Sequence, residues 1–231
     1  MPYRRLPNTD QSRIRALHTA IDRCSRTAIP ELACSIKSKN EAETILPIFE
    51  SAHHAYLLCL ERQVAAGKKF QSQVKLTRLY ISHFIQVLNF NVIRNEIKRE
   101  LKKLYGLDPN DFTVPDLNSE TALLNWGERI IAGEQERIRQ GGAPIYNPAI
   151  AKVRVHFDIF KDGGIAQKTH QKSTNRSLEA ITQMRQNVDS IILDLWNEVE
   201  AHFQNYPEVQ RRTFCESYGI RYYFRKNEPR E

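Results

Sequence analysis

Residues 72–105 read SQVKLTRLYISHFIQVLNFNVIRNEIKRELKKLY. Between Val74 and Ile93 this stretch carries twelve large apolar or aromatic residues, spread over nearly every side of a helix. A helix greasy all round must be surrounded by other helices. Toward its end the pattern narrows to a stripe of Ile93, Ile97, Leu101 and Leu104, and Gly106 stops it. The spacing predicts one helix over 72–105, packed at the centre of a bundle.

The rest of the chain supplies the surrounding helices. Ile14, Leu17, Ile21 and Cys24 recur every three or four residues, predicting a helix over 10–27 with Thr9 or Asp10 as its cap. Ile45, Phe49, Ala52, Tyr56, Leu60 and Val64 predict another over 41–66, in which Pro47 marks either a kink or the first turn. Gly67-Lys68-Lys69 reads as the break before residue 72. Ser119 caps a further helix over 120–140 that ends at Gly141-Gly142. Asn147-Pro148 is a start signal, a cap followed by proline in the first turn. From there to about residue 204 one long helix with a middle weakened by Gly163-Gly164 is expected over two separate ones.

Pro207 opens a short last helix, and Ile220, Tyr222 and Phe224 then alternate as in a strand. Tyr3-Arg4-Arg5-Leu6 is the one other extended-looking segment near a terminus, hence the expected partner. The expected fold is all-α: four to five long amphipathic helices over residues 1–204, and a helix-strand appendage over 205–231 packed on the bundle. Only nine glycines in 231 residues agrees with long helices rather than many tight turns.

WNEVE at 196–200 with YGIRYYF at 218–224, together with YRRLPNTD at 3–10, resembles the two ends of a group of uncharacterised bacterial helical proteins. The resemblance implies a helical fold and carries no activity, cofactor or site residues.

Charge is the strongest functional hint. The formal net charge is +7, and residues 68–105 hold nine basic side chains against two acidic ones. Arg94, Lys98 and Lys102 are spaced by four, with Arg99 and Lys103 alongside, and such a stripe can track phosphates. Cations near a helix C-terminus also complement its dipole, and Glu96 and Glu100 are within reach for local pairing. Arg221, Arg225 and Lys226 interleave with aromatics as in single-strand binders, although alternation alone explains the pattern.

Signs of catalysis are thin. Glu50 and His53 form an E-x-x-H, the spacing of di-iron bundles, but that chemistry needs a second copy and further carboxylates. Glu198 and His202 could pair on the long helix, with no nucleophile adjacent. No glycine pair precedes Lys-Ser or Lys-Thr. Cys24, Cys34, Cys59 and Cys215 form no C-x-x-C, and a reducing, cytoplasmic setting is the expectation. The leading functional expectation is a non-enzymatic interaction or scaffold protein with protein partners, itself among them, and no metal, cofactor or membrane. A nucleic-acid-binding accessory protein using helix 72–105 is the alternative, and an enzyme with a scattered site (Glu50, His53, His202) the third.

Overall fold

The computed structural model describes residues 3–223, and the chain is all-α, built from five α-helices and one two-stranded ribbon. Its contacts group into two compact units: residues 1–60 with 173–231, and residues 61–172. Helices α2 (Ile36–Ile93) and α4 (Ile150–His202) contribute a segment to each. Among the described residues no helix is long and apolar enough to cross a membrane.

In the first unit, α1 (Asp10–Ser25) begins where Thr9 accepts from the Ser12 N–H and Ser12 accepts in turn from the Thr9 N–H. Two backbone donors at the helix start are thereby satisfied. Thr9, not Asp10, is thus the cap. The α1 face bearing Ala16, Leu17, Ala20 and Cys24 packs with Ala42, Leu46 and Phe49 of α2 and with Ile181, Val188, Ile192, Leu195, Trp196 and Val199 of α4. Helix α5 (Glu208–Ser217) and the buried Tyr218 and Ile220 close this core. Strand β1 (Tyr3–Arg4) pairs antiparallel with β2 (Tyr222–Tyr223), as the alternation near the C-terminus suggested. Phe224, the last residue of that alternation, lies outside the described residues.

The second unit is contiguous. Residues 61–93 of α2, a 3-10 helix (Arg99–Tyr105), α3 (Glu120–Arg139) and the first part of α4 surround Phe70, Ile81, Phe84, Ile85, Leu88, Tyr105, Leu123, Ile130, Val153 and Phe157. Two glycines on α3 permit that packing. A Cβ at Gly127 would meet the Phe157 ring at 2.3 Å, and one at Gly133 the Tyr105 ring at 2.7 Å.

Two sequence expectations fail here. The Gly67-Lys68-Lys69 break does not exist: α2 runs unbroken for 58 residues, and Pro47 lies inside it. One glycine costs a helix about 1 kcal/mol, which the burial of Phe70 and Val74 in the following turns offsets. At the other end α2 stops at Ile93 rather than continuing to residue 105. Asn95 takes a left-handed φ of 61°. Its N–H bonds to the Val92 carbonyl and that of Glu96 to the Asn91 carbonyl, so the helix end is closed by an asparagine in the role glycine usually fills. The long C-terminal helix is single, as expected, but begins at Ile150, just after the bridge between Tyr146 and Ala149.

Candidate functional site

The end of α2 at Ile93 dissolves the phosphate-tracking stripe. Spacings of four align side chains only on an α-helix, and Arg94 lies in the turn, Lys98 before the 3-10 helix, and Arg99, Lys102 and Lys103 upon it. Lys102 is fully buried. Its ammonium donates to the Asp111 carbonyl and stands 4.3 Å from the Phe112 ring centroid. Burial lowers its pKa, against the pull of Asp111 and Asp108. Arg99 bonds Asn110 and lies 5.6 Å from the same ring. Arg78 donates to the carbonyls of Leu117 and Asn118, and Asn89 to that of Phe112. These side chains pin the loop 107–118, which has no helix or strand to satisfy its carbonyls. Arg94, Lys98 and Lys103 alone of the five stay exposed without such a role.

Arg221 fares differently. With Arg5 and Arg15 it rims a cavity of about 190 Å³ in the first unit, lined also by Leu6 and Trp196. None of the three guanidiniums has a carboxylate partner among the described residues. Arg225 and Lys226 lie outside the described residues.

The carboxylate–histidine pairs do not form as spaced. Glu50 meets His18 of α1 at 2.6 Å, while His53 Nδ1 is buried without a hydrogen bond. Glu198 accepts from the Ser35 N–H and from the hydroxyls of Ser35 and Ser38, capping the start of α2 with an anion, and His202 packs on Phe203. Among the described residues no group of three or more His, Cys, Asp or Glu could hold a metal ion.

Two polar clusters escaped the sequence reading. In the first unit Arg185 grips Asp10 with two bonds of 2.8 and 2.7 Å, and Arg13 grips Asp189 with bonds of 2.7 and 2.9 Å. Burial pushes the Asp10 carboxyl up, but the bond and charge of Arg185, joined by Arg13, outweigh it and leave the pKa lowered. In the second unit Glu134 and Arg137 of α3 are buried with Tyr105. Glu134 accepts from Tyr105, twice from Arg137 and from the Ile145 N–H, while Arg137 also donates to the Ala143 carbonyl. Every strong group is satisfied, so the cluster holds the 140–146 turn and leaves no reactive atom free. Burial, then Glu134, raises the Tyr105 hydroxyl far above its ordinary value.

The most open chemical feature is apolar, and it corrects the expectation that other helices surround residues 74–93 on nearly every side. Along α2 within the second unit, Leu76, Leu79, Phe90 and Ile93 are 45%, 61%, 58% and 58% exposed. With the partly exposed His83 and exposed Gln86 they occur at spacings of three, four, three, four and three, a single helix face. Two exposed apolar pairs, Leu76 with Leu79 and Phe90 with Ile93, thus flank a polar centre on one helix face.

No protein-family model matches the chain, and neither a curated protein nor a solved structure is similar to it.

Proposed function

We propose that the protein is a non-enzymatic helical interaction protein that pairs with a second copy of itself through the exposed face of α2. The observation that carries this is the symmetry of the row. Its spacing reads the same in both directions, so an antiparallel copy related by a two-fold axis places Leu76 opposite Ile93, Leu79 opposite Phe90, and His83 opposite Gln86. A two-fold interface needs such self-complementarity, and alternating spacings of three and four are those of packed helix seams. At the edges of the row Lys75 falls opposite Arg94, both exposed. Like charges there oppose pairing at low ionic strength and are screened as salt rises.

Sedimentation equilibrium tests this at up to about 100 μM, a range that detects even micromolar association. The expected result is a dimer that tightens with salt and is lost in Leu79→Glu with Phe90→Glu, the helical circular dichroism being kept. A strictly monomeric wild type at high salt overturns the proposal.

A second reading has its own observation, the three arginines Arg5, Arg15 and Arg221 around one cavity, which have no carboxylate partner among the described residues. They suit a phosphate-bearing ligand, nucleic acid included. Titration of labelled DNA and RNA at about 50 and 200 mM salt separates the readings, because phosphate contacts weaken as salt rises whereas the apolar dimer strengthens.

A further inference from the structure

We propose that Cys24 and Cys34 form an oxidation site, closing to an intrachain disulfide when a hydroperoxide oxidises one of them. Their sulfurs are 3.2 Å apart, both buried within the first unit. A disulfide bond is about 2.05 Å long, so an approach of roughly 1 Å joins them. The chain between can supply that movement. Cys24 lies in the last turn of α1, where backbone bonds fray at low cost. Ala28, Ile29, Pro30 and Glu31 are all exposed, with only the single 3-10 turn Ile29–Glu31 to order them.

A buried cysteine ordinarily serves as a small hydrophobe, and Cys215, buried in the apolar core of the first unit, fits that description. Sulfur set against sulfur does not. The hydrogen bond between the two sulfurs lowers the Cys24 pKa, against burial and with help from Lys39; the same bond and burial raise Cys34. One thiolate thus forms more readily beside a second thiol, the arrangement of an attacking and a resolving cysteine.

The reaction balances with one hydroperoxide. The Cys24 thiolate attacks one peroxide oxygen, the O–O bond breaks, and hydroxide leaves and takes up the proton Cys24 released. Cys24 is then a sulfenic acid. The Cys34 sulfur attacks the Cys24 sulfur, forming S–S and breaking S–O, and the departing hydroxide takes the Cys34 proton as water. Two thiols and hydrogen peroxide give one disulfide and two waters. Hydrogen peroxide is small enough to reach sulfurs that a bulky disulfide reagent would not.

The test uses the full, reduced chain treated with hydrogen peroxide, alkylated, digested and read by mass spectrometry. The expected product is a Cys24–Cys34 cross-linked peptide two hydrogens lighter than the reduced pair and restored by dithiothreitol. Cys59 and Cys215 are expected to remain alkylated in the same sample. Recovery of Cys24 and Cys34 as alkylated thiols, or as unlinked sulfinic acids, overturns the proposal. In Cys34→Ser the Cys24 sulfenic acid is expected to persist and be trapped by dimedone, several-fold more than in wild type. Equal trapping in the two proteins means Cys34 does not resolve it, and also overturns the proposal.

Discussion

The two units bury charge in opposite ways. In the first, Asp10, Arg13, Arg185 and Asp189 link α1 to α4 across more than 170 positions of sequence, and Arg185 and Asp189 keep one side in water. In the second, Glu134 and Arg137 are neighbours on one helix, wholly enclosed, and spend their bonds on Tyr105 and on the backbone of the following turn. A group that can rehydrate when its partner is lost forfeits little, whereas an enclosed one keeps its desolvation cost with nothing to offset it. The local, invisible cluster should therefore matter more than the long-range ion pairs that look like staples.

That comparison is easily broken. Glu134→Ala strands the Arg137 guanidinium and the Ile145 N–H, and the expected loss is about 3–5 kcal/mol. Hydrogen exchange should show the loss confined at first to residues 61–172, with 173–202 of α4 still protected. Gly127→Ala comes next, at about 1–3 kcal/mol in denaturant melts, because the new methyl meets a buried ring with no flexible end to yield.

Asp10→Asn should cost less, about 1–2 kcal/mol at neutral pH. Its effect has a pH signature. The Asp10 pKa is lowered in the fold, so its contribution is complete above the unfolded value of about 4 and fades as pH falls through the folded value. Melts of wild type and Asp10→Asn should converge there. If Asp10→Asn costs as much as Glu134→Ala, the contrast between the units is wrong. Least of all, Leu79→Glu should change monomer stability by no more than about 0.5 kcal/mol while weakening self-association.

Periodicity in the sequence was sufficient for the helices of the first unit and for the single span of α4, since each hides one apolar face. It failed where a residue's role depends on what lies opposite. Asn95 is an unremarkable helix residue by propensity, yet its left-handed φ ends α2 and rotates Lys98 through Lys103 off the expected stripe. Glu134 and Arg137, three apart, look like a solvated pair. Only Gly133, directly after Ile130, Ile131 and Ala132, hinted that this side of α3 is pressed against something. Glu198 had a plausible local partner in His202, and the start of α2, 163 positions away, took it instead. The candidate docking row was in plain view among the apolar residues of 72–93, but not which of them the bundle leaves uncovered.

The antiparallel pairing of Tyr3–Arg4 with Tyr222–Tyr223 bears on how the molecule is made. Residues 61–172 are one uninterrupted run, so that unit has all its parts once they clear the ribosome. The other is assembled from the first and last portions of the chain, and its ribbon pairs Tyr3 with Tyr223 and Arg4 with Tyr222. Throughout synthesis the apolar side of α1 has only Ala42, Leu46 and Phe49 of α2 to cover it until Val188, Trp196 and Ile220 are translated. Such a nascent chain is open to chaperone capture and premature association at its leading end, for as long as its interior has already settled.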